Sequence, residues 1–188
     1  MRIALCLVAT IICLGALAQP ATAQSDGLPP EWDARQMLAA LINHTGEFAP
    51  LLKQIKPQEW TAKGASGAYA DQLASLSNEI SYLERAASEL AERPDRLTKA
   101  LETYFRLESV DAILTSVIDG VRRYQNPAMA DLLQEMRDNQ SAYNLEIRNY
   151  LAELAAAKEA ECRIADEEAQ RCRAEIIGAP AAKVQPRR

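Results

Sequence analysis

From Tyr69 to Ala157 the apolar residues recur at alternating steps of four and three, the spacing of helices packed at a shallow angle. The clearest run is Tyr69, Leu73, Leu76, Ile80, Leu83, Ala87 and Leu90, with Gln72, Asn78, Glu79, Glu84, Arg85 and Glu89 between them for a wet face. Arg93-Pro94-Asp95 interrupts it. A second run follows through Leu97, Leu101, Tyr104, Leu107, Val110, Leu114, Val117, Val121 and Tyr124, with one heptad shortened near Leu107. Phe105, Ile113 and Ile118 widen this stripe, as expected of a helix with two neighbours. Gly120 stands late in it at a propensity cost of ~1 kcal/mol. Asn126-Pro127 predicts a capped start for a third run, because Asn accepts from first-turn amides and Pro needs no partner there. Met129, Leu133, Met136, Gln140, Tyr143, Ile147, Tyr150, Leu154 and Ala157 form its seam, and Gln140 is the single polar member.

The connections between these runs are short, so the three helices must alternate in direction. A broken helical region precedes them. Met37, Leu38, Leu41 and Ile42 share one face, Gly46 and Pro50 interrupt, and Phe48, Leu51, Leu52 and Ile55 continue to Pro57. This region is expected to close the bundle as its fourth member. No period-two alternation and no Asn-Gly or Asp-Gly hairpin signal occurs, which leaves an all-α antiparallel bundle over residues 31–157.

The pattern changes after Ala157. Residues 158–177 are rich in Glu, Ala and Arg and keep few large apolar side chains. They have helix propensity without a face to bury, which predicts a helical extension projecting from the bundle. A tail of Ala, Pro, Lys and Arg over 178–188 is expected to be disordered.

At the other end, Met1-Arg2 leads into an apolar stretch from Ile3 to Ala18, and Ala21-Thr22-Ala23 offers a small-x-small site. This is the form of a cleaved secretory signal, and it is shorter than the ~20 residues of a permanent span. Cleavage after Ala23 is expected, with an uncleaved anchor as the alternative, and residues 24–30 read as a flexible leader. Ile12 before Cys13 argues against lipid attachment. The protein is therefore expected to be exported, periplasmic or extracellular, without stable membrane insertion once processed.

Charge narrows the partners. Loss of residues 1–23 removes Arg2 and no acid, so the formal charge moves from −5 to −6. An acidic chain without a basic stretch argues against nucleic acid and anionic lipid, both of which are recognised through Lys and Arg. The expected partner is another protein or a second copy of the chain, in a homodimer.

Cys6 and Cys13 leave with the signal, and Cys162 and Cys172 stay. An even pair in an oxidising compartment is a disulfide candidate. Ten steps along an unbroken helix put the two Cα atoms ~15 Å apart, beyond the ~7 Å a disulfide spans. Three states therefore remain open: a hairpin broken near Ala165-Asp166, bonding between antiparallel copies about a two-fold axis, and free thiols.

The rest of the chemistry is sparse. His44 is the only histidine, which excludes paired Glu-x-x-His di-metal sites and multi-histidine zinc sites. No nucleophile elbow accompanies it, so no catalytic, cofactor-binding or metal-ligating set is assigned. Pro29-Pro30-Glu31-Trp32 and Pro57-Gln58-Glu59-Trp60 echo each other, making Trp32 and Trp60 a candidate interaction patch as well as packing anchors. Gln140 could line a pocket or set helix register. Tyr104, Tyr143 and Tyr150 are expected to bury rings and leave hydroxyls at the core's edge. Asn43-His44-Thr45 and Asn139-Gln140-Ser141 match the glycosylation sequon. The functional expectation is a non-enzymatic interaction or structural module working through helix contacts. The alternative is a ligand-binding or chaperone-like bundle whose broken first region covers an apolar groove.

Overall fold

The computed structural model describes residues 31–178; the expected signal segment 1–23, the leader 24–30 and residues 179–188 lie outside the described residues. Six α-helices make up the described chain: α1 (Glu31–Gly46), α2 (Phe48–Leu52), α3 (Pro57–Trp60), α4 (Ala68–Glu92), α5 (Leu97–Tyr124) and α6 (Pro127–Gly178). A single 3-10 turn, Thr61–Lys63, follows α3 and ends at Gly64, whose φ of 87° is the left-handed conformation that glycine adopts without strain. Among the described residues there is no strand.

The chain is an antiparallel helical bundle. α4 packs on α5 and α5 on α6, while α1 closes the ring against α4 and, through a thinner contact, α6. The four-three spacing buries the inner positions of each run, Leu76, Ile80, Leu83, Ala87 and Leu90 from α4, Leu107, Val110, Leu114, Val117 and Val121 from α5, and Leu133, Ile147 and Leu154 from α6, while seam residues nearer the helix ends such as Tyr69, Leu73, Leu97, Leu101, Tyr124 and Met129 are half-buried. Their partners from the first region are Leu38, Leu41, Phe48 and Leu52, so the broken segment does serve as the fourth member. Removing any one of these leucines to Ala would cost about 2–5 kcal/mol through lost transfer energy and the cavity left behind.

The breaks follow their local chemistry. Asn126 caps α6 by accepting the Ala128 amide at 3.0 Å, with Pro127 in the first turn. Pro94 and Asp95 form the tight connection between α4 and α5, and the Tyr150 hydroxyl donates to the Pro94 carbonyl, fastening that turn to α6. Thr45 and Thr103 are buried because each hydroxyl donates to a carbonyl one turn back, at 2.6 and 2.9 Å.

One expected core residue is outside. Phe105 is 63% exposed. At 100° per residue it lies about 160° from Thr103, on the side of α5 away from the core, so it does not widen the apolar stripe.

α6 is longer than the bundle. It runs without a break through Ala165-Asp166, and every residue from Glu161 to Gly178 is exposed. The projecting part is ~30 Å of helix that buries none of its residues against the bundle.

Candidate functional site

The two ends of the bundle have different characters. At one end, residues 54–69 cross the tips of α4 and α5. Trp60, 2% exposed, lies against Tyr69 and Tyr124 with ring centroids 5.4 and 6.0 Å away. Gln125 holds the segment down: its Oε1 accepts from the Lys56 amide at 2.9 Å and from Trp60 Nε1 at 3.2 Å, and its Nε2 donates to the Gln54 carbonyl at 2.9 Å. Gly120 makes room for this arrangement. A Cβ there would stand 2.7 Å from Trp60 Cζ3 and 2.8 Å from Tyr69 Cε1.

Trp32 is at the opposite end, in the first turn of α1, where Arg35 Nε donates to the Ala91 carbonyl at the end of α4. It is 72% exposed. The two tryptophans therefore form no common patch. Trp60 is a packing anchor, buried because it plugs the α4–α5 tip, and only Trp32 is available to a partner.

His44 ends α1 inside the bundle. Its Nε2 lies 3.0 Å from the Met136 carbonyl, which can only accept, so Nε2 carries the proton in this contact. The ring packs against Phe48 and Tyr143, and Nδ1 faces Glu47 at 3.7 Å. His44 and Glu47 together fall short of a metal-binding set, and no cluster of three or more His, Cys, Asp or Glu side chains suited to a metal occurs among the described residues. The contact ties α1 to α6.

One turn beyond Met136, Gln140 is fully buried, and neither its Oε1 nor its Nε2 has a hydrogen-bond partner. Arg137 and Asp111 form a part-buried ion pair beside it, with nitrogen–oxygen distances of 2.8 and 2.9 Å. Gln140 is sealed among the packed helices and lines none of the main clefts among the described residues. Of the seam tyrosines Tyr69, Tyr104, Tyr124, Tyr143 and Tyr150, Tyr150 alone is buried, and its phenol pKa is raised, by burial first and by the negative charges of Asp95 and Glu31 after that.

The ion pairs on the outer faces are ordinary surface chemistry. Arg106 spans α5 to Glu79 of α4 at 3.0 Å and lies over the Tyr82 ring. Lys99 meets Glu89 and Glu102, and the Lys99 ammonium holds the Glu89 carboxyl below its usual range.

The remaining sequence-flagged residues, Cys162 and Cys172, sit on the projecting part of α6 as exposed free thiols. Because the helix does not break between them, ten steps of ~1.5 Å separate them by ~15 Å and they are not bonded to each other. The hairpin at Ala165-Asp166 does not form: Ala165 and Ala169 flank the acidic stretch with strong helix propensity, and Arg163 pairs with Glu167 across it at 3.9 Å. Large apolar residues are also exposed along this part, Ile164 near its base and Ile176 and Ile177 at its tip. No helix among the described residues is long and apolar enough to cross a membrane. No protein-family model, curated protein or solved structure matches the chain.

Proposed function

We propose that the protein is an exported, non-enzymatic interaction module that works by helix-on-helix recognition, with the projecting part of α6 as its contact surface. The observation that carries this reading is the complete exposure of Glu161 to Gly178 on one unbroken helix. A helix that buries nothing on its own chain gains most by lying against another helix. The apolar tip of Ile176 and Ile177 and the exposed Trp32 at the helix's base supply the anchors such contacts use. The signal-like start of the chain supports export, and the acidic charge argues for protein rather than nucleic acid as the partner.

A photo-crosslinking residue placed at Ala169, in cells producing the protein, tests this. A discrete adduct is expected from position 169 and none from Glu135 on the bundle's outer face. No discrete adduct from 169 refutes the reading.

One observation favours the ligand-binding alternative: a cleft of about 470 Å³ between α2–α3 and α4, lined by Leu52, Leu73, Ile80, Lys53, Ser77 and Glu84. In that reading Gln125 is the latch, and Gln125→Ala increases uptake of an apolar fluorescent probe. Unchanged uptake removes the alternative.

A further inference from the structure

Resting on the helix-recognition reading, we infer that the contact surface of α6 takes a second copy of itself, antiparallel, closed by two disulfides joining Cys162 of each copy to Cys172 of the other.

The first support is the sequence around Glu167. Cys162-Arg163-Ile164-Ala165-Asp166-Glu167-Glu168-Ala169-Gln170-Arg171-Cys172 reads nearly the same in both directions. A two-fold axis through Glu167 therefore sets Cys162 against Cys172, and Ala165 against Ala169, on both sides at once. These four residues are spaced three, four and three, so they form one seam. Small side chains let helix axes approach to ~8–9 Å. With Cα atoms ~2.3 Å from each axis and each cysteine about 40° off the seam's centre, the facing Cα atoms come ~5–6 Å apart. That lies inside the range a disulfide spans.

The second support is where the bundle stands. Relative to Leu154, which faces the core, Cys162, Ala165, Ala169 and Cys172 point about 80°, 20°, 60° and 0° around α6. The seam thus lies on the same side as the bundle. Parallel pairing would drive α1, α4 and α5 of the two copies into one space. Antiparallel pairing puts the bundles at opposite ends.

The third support is length. In this register Gly178 of one copy reaches the level of Ala156 of the other, just past the bundle end where Leu97 and Ala155 line one depression with Cys162. The exposed Ile176 and Ile177 then arrive at the end that carries Leu97 and the 72%-exposed Trp32. The flanking charges are mixed. Glu159 meets Arg173, while Asp166 and Glu168 each oppose their own copies and Glu161 opposes Glu175. The sulfur bonds, rather than charge, are what hold the pair.

Each bond forms by exchange with a small-molecule disulfide. One cysteine thiolate attacks it, the partner's thiolate displaces the mixed disulfide, and two small thiols leave with the two electrons and two protons.

Oxidised glutathione applied to the purified full chain, followed by non-reducing electrophoresis, decides the matter. Wild type should become a covalent dimer that reductant returns to monomer. Cys162→Ser alone and Cys172→Ser alone should stay monomeric, because identical cysteines lie ~15 Å apart in this register. A one-to-one mixture of the two variants should dimerise. A covalent dimer of either single variant, an intrachain bond in a monomer, or a wild type that stays monomeric through oxidation overturns the pairing. If position 169 still crosslinks to a different protein, the pairing fails while the helix-recognition reading stands.

Discussion

Gln140 is the position where this fold departs from the chemistry of a good core. Its side chain is fully buried, and neither the amide nitrogen nor the amide oxygen has a partner. A buried amide without hydrogen bonds costs about 1–3 kcal/mol, because the water it gave up is not replaced. Leucine has nearly the same length and adds apolar contact at a site bordered by the His44–Met136 link and by α5. Gln140→Leu should therefore stabilise the bundle by about 1–3 kcal/mol, equivalent to roughly 3–9 °C in Tm for a chain of this size. Urea unfolding followed by helical circular dichroism would show a higher midpoint with an unchanged slope. Gln140→Glu should lose at least as much as leucine gains, since a buried carboxylate is costlier than a buried amide and the neighbouring Arg137 is already committed to Asp111. A leucine variant less stable than wild type would refute the reasoning and mean that the amide is satisfied in solution.

Three further outcomes follow from other contacts. Gly120→Ala should destabilise by about 1–2 kcal/mol despite the better helix former, because the pinned Trp60 and Tyr69 rings stand under 3 Å from the new Cβ; a thermal melt checks it. Tyr150→Phe should cost about 1 kcal/mol at pH 8 through the lost bond to Pro94, measured by urea midpoints. Its raised pKa means the unfolded chain releases this proton first, so the tyrosine's contribution is intact below pH ~10 and fades as pH climbs past it. The gap between wild type and Phe should thus narrow at pH 10.5. Ending the chain after Ala160 should shift bundle stability by no more than ~0.5 kcal/mol while removing helical signal in proportion to the residues lost, because every described residue from Glu161 onward is exposed.

The three long helices could be read from spacing alone because each buries a stripe whose period is set by backbone geometry and not by its neighbours. The Asn126 cap was legible for the same reason: it is a local bond between a side chain and an amide two residues on. Phe105 was misread because spacing reports a residue's angle only to within the width of the stripe, and the true core of α5 is centred on Thr103, Leu107 and Val110. Trp60 and Gly120 are 60 residues apart, and the demand of one for the other is a tertiary fact with no local signature. Gln125 carried no signal either, since a glutamine just after a helix usually faces water. Whether the helix breaks between Cys162 and Cys172 depends on a balance of propensities that composition alone does not decide.

That balance also bears on how the extension works. Starting a helix is the costly step, and α6 has already started at Pro127 inside the bundle, so residues 158–178 only propagate it. Propagation in water gains little per residue. The Lys158–Glu161 and Arg163–Glu167 pairs, at 3.0 and 3.9 Å, add only about 0.2–0.5 kcal/mol each. The projecting helix is thus formed but close to fraying at its tip. Contact with another helix would need to supply only the small remaining stabilisation, and little ordering entropy is left to oppose it. Ala165→Gly with Ala169→Gly should therefore weaken association far more than the stability of the bundle, since about 2 kcal/mol of propensity is removed where no intrachain contact exists to absorb it. Equal effects on both would mean that the extension is not held ready by the bundle.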